Sequence, residues 1–423
     1  MDAVRSDDRF VIDDRKNHRF RVAREVFLNE AVLCKELETI FKRCWLYLGH
    51  VSEVANPGDF VTRSVGRRNL IFLRDRQGSV RAIFNSCSHR GAEVCRERQG
   101  NTKTFRCIYH GWVFRDDGRV LSRPGEEGFA PMTPGDTSLD LIHVPRLEEH
   151  RGFYFINLDP DAIPLSDYLG NARDYIDLIA DQSSSRMVVV KGTQEYAARA
   201  NWKLLAENSV DIYHGSGLHP TYIDYLKSTT GALDPMAGLG GVARDLGQGH
   251  GVVEYKGPWG RPIAQWIPAW GAEGKAEIAK VYSDLVERLG KARADRISQT
   301  NRNLLIFPNL VINDIGAITI RTFQPNAVDY MNVTSWAIAP AEENDKFLRR
   351  RLDNFLEFLG PAGFASPDDL EALESCQRSF ANTEARWNDV SRGMVASSQG
   401  RDEGWEDEGQ IRSFWRRWHE YVG

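Results

Sequence analysis

Cysteine is scarce in this chain, with 6 in 423 residues, which is too few for the disulfide lattice of a secreted scaffold. Long apolar runs are missing as well. No stretch approaches the ~18 apolar residues of a membrane span. The opening "MDAVRSDDRF" also lacks the apolar centre of a secretory signal. Positive charge is not in excess. Lys and Arg number 54 against 59 Asp and Glu, a formal net charge of −5, so nucleic acid finds no basic field to follow. No segment repeats at a fixed period and no tract is of low complexity. These absences point to a cytoplasmic protein whose few cysteines do something other than cross-link. The material for a core is ample: 42% hydrophobic residues and 11 tryptophans, enough for two or three ordinary domains.

Periodicity divides the chain. "NEAVLCKELETIFKRC" spaces Leu33, Leu37, Phe41 and Cys44 at helical intervals behind a capping Asn29. From Trp45 the pattern turns to short β-branched or aromatic runs, "GDFVTRSVG", "NLIFLRD" and "VRAIFN". "WVFRDDGRVL" predicts a hairpin turned at Asp117-Gly118. This block lasts to "GFYFINLDP", with Asp159-Pro160 as its boundary. Beyond it, "RMVVVKGTQEYAARA" is strand-like and runs into a helix near "NWKLLAENSVDIYH". The stretch "TTGALDPMAGLGGVARDLGQGHG" is too rich in glycine for a regular element, and predicts a loop over a pocket mouth. "AEIAKVYSDLVERLGKA" is a helix with Ile278, Tyr282, Leu285 and Leu289 on one face. "LLIFPNLVIN", "AITIRTFQP" and "YMNVTSWAIAP" predict antiparallel strands. "KFLRRRLDNFLEFLG" is a helix stopped at Gly360-Pro361, and "RSFWRRWHEYVG" a terminal one. The fold class expected is α+β. A small all-β domain, residues 45–158, is inserted between an N-terminal segment, 1–44, and the rest of a larger domain, 159–423, built on an antiparallel sheet with helices.

Two groups of residues carry chemistry. "CSHRGAEVC" holds Cys87 and His89 one residue apart, and "CIYHGW" holds Cys107 and His110. A structural zinc site is the plain alternative, but zinc sites pair C-x2-4-C with H-x3-5-H. Here each arm brings one Cys and one His. That distribution suits a [2Fe–2S] cluster with two thiolates on one iron and two imidazoles on the other. Replacing thiolates by neutral imidazoles raises the potential to roughly −150 to +300 mV. Cys95 lies close by, outside the pattern, and is read as a packing residue.

The second group lies in "NWKLLAENSVDIYHGSGLHPTY", which contains Glu207, Asn208, Asp211, Tyr213, His214 and His219. On a helix Asp211 and His214 would share a face. His219 would fall about 140° round from His214, so both reach one ion only if the helix deforms. Gly215-Ser216-Gly217 permits that deformation, and Pro220 follows. Surface histidines are the plain alternative. Two histidines need one carboxylate to make the facial triad of a non-haem Fe(II) oxygenase. "GPAGFASPDDLEAL" offers Asp368 and Asp369 at a helix start, with Ser366 as cap and Pro367 at the first position. Spacing alone does not choose this pair over other acids.

Taken together, "CSHRGA", "YHGW", "NWKLLAENSVDIYHGSGLH" and "GPAGFASPDD" resemble the large (α) subunit of Rieske non-haem iron ring-hydroxylating dioxygenases, over nearly the whole chain. The resemblance implies a catalytic domain of helix-grip type, and a Rieske cluster held by Cys87, His89, Cys107 and His110. It implies a mononuclear Fe(II) held by His214, His219 and Asp369, with Asp368 serving only the helix start. Asp211 would bridge to a Rieske histidine of the neighbouring subunit, and Asn208 would sit in the pocket. Relatives often carry bulkier or acidic residues where Ala365-Ser366-Pro367 stands here, which leaves Asp368 open beside Asp369.

The implied reaction adds both atoms of O2 to an aromatic ring. Electrons would come from NAD(P)H through a reductase, with or without a ferredoxin. The implied assembly is α3, or α3β3 with a small β subunit. "WLYLGH", "GTQEY" and "ANWKLLAEN" look closest to members acting on aromatic acids, of anthranilate, benzoate or p-cumate type, with anthranilate 1,2-dioxygenase the nearest expectation. Arg321 is a candidate partner for the substrate carboxylate, although an arginine paired with a neighbouring acid is the other reading. A Rieske mono-oxygenase or demethylase, and a Rieske electron carrier without catalysis, are the competing functions.

Overall fold

The computed structural model describes residues 10–133, 135–230, 240–257, 259–401 and 403–423. The chain divides into two compact units: Phe41–Leu165 forms one, and the chain on either side of it forms the other. Among the described residues no helix is long and apolar enough to cross a membrane.

The inserted unit is built of three antiparallel sheets. Its central strand, Arg68–Arg74, reads "RNLIFLR", and all four apolar residues are buried because Asp59–Val65 and Val80–Phe84 flank it. Phe60, Ile71, Leu73, Ile83, Trp112 and Phe114 form its core with Cys87, Cys95 and Cys107. Cys95 is thus packed, as expected. Its loop is pinned by Asn85, whose Oδ1 accepts from the Val94 and Cys95 N–H groups at 3.0 Å while its amide donates to Cys95 O. The hairpin at Asp117-Gly118 forms between Val113–Arg115 and Val120–Ser122.

In the larger unit, helix α1 (Glu30–Arg43) starts where predicted, with Asn29 Oδ1 accepting from the Ala31 N–H at 2.8 Å. The sheet is eight-stranded and antiparallel throughout. Its strands are β1 (Met187–Val189), β2 (Gln194–Ala198), β3 (Gly240–Gly247), β4 (His250–Lys256), β5 (Asn301–Ile306), β6 (Leu310–Asp314), β7 (Ile318–Ala327) and β8 (Tyr330–Pro340). The order is β1-β8-β7-β6-β5-β4-β3, with β2 also paired to β8.

Two of these strands correct the sequence reading. Part of the glycine-rich stretch expected to be an irregular loop, residues 231–239, lies outside the described residues. Thr229 and Thr230 end a helix, and the residues from Gly240 on form the β3–β4 hairpin. Glycine lowers strand propensity and so hid it. At Gly251 the missing side chain serves close approach, since a Cβ there would meet Gln410 Cβ at 2.8 Å.

Helices α2 (Trp202–Asn208), α3 (Gly215–Leu218) and α4 (Pro220–Thr230) precede β3. Then come α5 (Gly271–Leu289), α6 (Asp345–Glu357), α7 (Ser366–Ser379) and α8 (Gly409–Val422). Asn201 caps α2 by accepting from the Lys203 N–H at 3.1 Å. One buried carboxylate ties α2 to α1 and α8. Glu36, fully buried, accepts from Lys203 Nζ at 2.6 Å, from Trp202 Nε1 at 2.7 Å and from Trp418 Nε1 at 2.7 Å. The Lys203 ammonium lies 5.4–5.8 Å from the ring centroids of Trp202, Phe27 and Trp418, so no water shell replaces a lost partner. Glu36→Ala strands that charge and is expected to cost about 3–5 kcal/mol in urea unfolding. A loss within the ordinary surface range of ~0.5 kcal/mol would contradict this.

Candidate metal centres

The two Cys-His loops of the inserted unit have one backbone shape. In the first, the Cys87 N–H donates to Ala92 O at 2.8 Å and the Gly91 N–H to Cys87 O at 2.8 Å. In the second, the Cys107 N–H donates to Trp112 O at 2.8 Å and the Gly111 N–H to Cys107 O at 3.0 Å. Each loop is therefore a closed turn with Cys first and Gly fifth. Gly91 and Gly111 hold φ of +78° and +72°, a region costly for any residue with a Cβ. The histidine occupies the third place in one loop and the fourth in the other, which explains the unequal spacing.

Cys87 and Cys107 are buried, His89 is half-buried and His110 exposed, so the thiols lie inside and the imidazoles face outward. The His89 and His110 ring centroids are 4.5 Å apart, and His89 stacks on Trp112 at 4.9 Å with 1° between planes. Burial, with Cys107 beside it, raises the Cys87 thiol above its ordinary range. A metal centre that holds the thiolate removes that cost. Two buried thiols and two outward imidazoles, one of each from either loop, fit the two-thiolate, two-imidazole donor set of a binuclear cluster. His89→Ala or His110→Ala is expected to erase the visible and EPR signature of the cluster while iron at the second centre stays. A normal spectrum in both variants would remove these histidines from the ligand set.

The second centre departs from the expected helix. α2 ends at Asn208, and Asp211 and His214 lie in the turn before α3. Asp211 helps to break the helix, because its Oδ1 accepts the Tyr213 N–H at 2.8 Å and so competes with helical bonding. Asp211 and His214 still meet, across a turn rather than along a helical face, with His214 Nδ1 3.2 Å from Asp211 Oδ2. A second short helix carries the chain from His214 to His219, and α4 begins at Pro220. The deformation lies where Gly215-Ser216-Gly217 allows it.

From α7, Asp369 Oδ1 comes within 3.4 Å of His214 Nε2 and 3.3 Å of His219 Nε2, and the three ligand atoms fall within 4.8 Å of one another. Asn208 Nδ2 donates to Asp369 Oδ1 at 3.0 Å and lies 3.5 Å from His214 Nε2. Burial opposes charge on both groups, yet the pairing prevails. The histidines hold the Asp369 carboxyl well below the usual carboxylate range. Asp211 and Asp369 bring His214 up to about 9. Two imidazoles and one carboxylate converging from one side fit the donor set of a facial triad.

The start of α7 corrects a further expectation. Ser366 does not cap α7: Ala365 stands at the cap without a side-chain bond, and Ser366 Oγ donates instead to Leu359 O at 2.9 Å. Asp368 stays in the first turn of α7 and also places Oδ2 3.4 Å from His219 Nδ1. Each histidine therefore directs Nε2 at Asp369 and offers Nδ1 to another carboxylate, which fixes ring orientation and tautomer. The i−1 position beside a ligand acid was the only sequence signal for this contact. Glu207, in the same run as Asn208, receives the Trp415 indole N–H, and burial pushes its carboxyl up to about 8.

Arg321 lies on β7, 3% exposed, with Nη2 donating to Ser209 Oγ at 3.3 Å. Among the described residues no carboxylate pairs with it and its Nε has no partner, which disfavours the reading of an arginine tied to a neighbouring acid.

Comparison with known proteins identifies both domains. Residues 44–134 match the Rieske [2Fe–2S] domain, and residues 185–423 match the catalytic domain of ring-hydroxylating α subunits. The 2-halobenzoate 1,2-dioxygenase large subunit of Burkholderia cepacia is 33% identical over 408 residues, covering 93% of this chain and 84% of that one. The anthranilate 1,2-dioxygenase large subunit of Acinetobacter baylyi is 32% identical over 423 residues, covering 94% and 86%. The structure of naphthalene 1,2-dioxygenase from Rhodococcus sp. bound to indole matches with a TM-score of 0.80 at 27% identity, over 95% of this chain and 94% of that one. With the catalytic-domain match reaching Gly423 and more than 30% identity along nearly the whole length, the chain belongs to the Rieske non-haem iron ring-hydroxylating dioxygenases, as a large oxygenase subunit.

Proposed function

We propose that this subunit adds both atoms of O2 to the ring of an aromatic acid, of anthranilate type, giving a cis-dihydrodiol. The electrons come from NAD(P)H through a separate reductase, with or without a ferredoxin. In the same reading Cys87, His89, Cys107 and His110 hold the cluster, and His214, His219 and Asp369 hold the mononuclear iron. When bound, the iron supplies O2 activation and the cluster supplies electrons for it. Asp211 orients His214 and takes an imidazole N–H of the cluster on a neighbouring subunit. Such a link needs a neighbouring α subunit, which an α3 or α3β3 ring supplies.

The observation that carries the substrate class is Arg321. A guanidinium buried without a carboxylate is costly until an anion arrives, and its Ser209 contact sets it one residue from Asn208, which touches His214 and Asp369. Two of the named relatives act on 2-halobenzoate and anthranilate, both aromatic acids, and the third on naphthalene. The test is O2 uptake and product mass for the oxygenase reconstituted with a reductase, offered aromatic acids and their uncharged counterparts. Acids are expected to be consumed with kcat/KM falling about 10- to 100-fold in Arg321→Met, as for loss of a charged hydrogen bond. Turnover of uncharged arenes alone would overturn the substrate class. A benzoate or p-cumate preference would change only the named acid.

A further inference from the structure

The sheet face that carries Arg321 is polar for a buried surface. Register sets Arg321 of β7 opposite Val311 of β6 and Ser335 of β8. Two residues along β6, Asn313 stands opposite Asn303 of β5, so Asn303, Asn313, Arg321 and Ser335 all point to one side. Each is at most 9% exposed. Asn313 Nδ2 donates to Asn303 Oδ1 at 2.8 Å. Asn313 Oδ1 and Arg321 Nε are left buried and without partners among the described residues, as are both amide atoms of Asn301, one pleat before Asn303. Buried polar atoms are rarely left so. Several on one face mark a surface that receives something polar.

The spacing indicates what that is. Arg321 and Asn313 are diagonal neighbours on adjacent strands, a separation of about 7–8 Å that one substituted benzene ring bridges. The Arg321 end of the row is tied to the metal ligands, because Ser209, which accepts from Arg321, follows Asn208, whose amide donates to Asp369. We infer that the substrate is an aromatic acid with a second, hydrogen-bond-donating substituent, an amino or hydroxyl group, received by Asn313 Oδ1 while the carboxylate lies on Arg321. This rests on the reading of Arg321 as carboxylate anchor.

Matched pairs of acids test it. For each ring position, an aminobenzoate or hydroxybenzoate is compared with the methylbenzoate of similar size. Kd is measured on the resting oxygenase, and kcat/KM with its reductase. At one position the donor-bearing acid is expected to be preferred at least about 10-fold. The ratio should fall towards one in Asn313→Leu and persist in Asn313→Asp, which keeps an acceptor oxygen. If Asn313→Leu does not fold, the wild-type ratio and Asn313→Asp decide. Equal use of both members at every position, or a preference that survives Asn313→Leu, overturns the second subsite while acids still bind through Arg321. Acid binding unchanged in Arg321→Met overturns the anchor, and this inference with it.

Discussion

Alanine at His214, His219 or Asp369 is expected to abolish turnover and to lower the iron content from about three to about two per chain, with the cluster spectrum unchanged. The reason is geometric. Both Nε2 atoms converge on Asp369 Oδ1 within 3.4 Å, and removing any one of the three leaves two donors where three are needed. Asp368→Ala should be milder, about 10- to 100-fold in iron affinity, because Asp368 meets His219 only at Nδ1. Iron analysis beside EPR separates these outcomes. Full iron in Asp369→Ala with loss in Asp368→Ala would reverse the assignment within the pair.

Asp211→Asn is expected to cut turnover about 100-fold while both metal centres stay filled and the cluster stays reducible. Its carboxylate accepts the Tyr213 N–H through one oxygen and faces His214 Nδ1 through the other. An amide keeps the shape, but it loses the charge that holds an imidazole N–H. If Asp211 also takes a cluster histidine of the neighbouring subunit, single-turnover electron transfer slows and iron affinity does not. An acid with only a surface role would change stability by no more than ~0.5 kcal/mol and leave turnover alone. Wild-type turnover, or loss of the mononuclear iron instead, contradicts the bridge.

How far the sequence was legible depended on the range of each interaction. Local patterns read well: Asn29 capping α1, the Asp117-Gly118 hairpin and the apolar strands β5 to β8 follow from neighbours along the chain. The two His-bearing stretches were legible because metal donors at short spacing are rare. What stayed hidden was decided at a distance. β3 and β4 looked irregular because glycine lowers strand propensity, and at Gly251 it makes room for Gln410 of α8. The break after Asn208 is the local exception, helped by Asp211, whose carboxylate accepts the Tyr213 N–H two residues on. Asp368 was assigned to its own helix start, and only the fold brings it to His219. The buried Glu36–Lys203 pair joins residues 167 positions apart, and the Asn303–Asn313 pair depends on strand register; neither leaves a trace in local composition.

The central claim is dioxygenation of an aromatic acid, and isotope labelling reaches it most directly. The reconstituted oxygenase turns over its best aromatic acid under 18O2, and the product mass is read at once. A cis-dihydrodiol carrying label in both oxygens is the predicted result. Label in only one oxygen would make the enzyme a mono-oxygenase, and no oxygenated product, with the cluster still cycling, would make it an electron carrier; either contradicts the account.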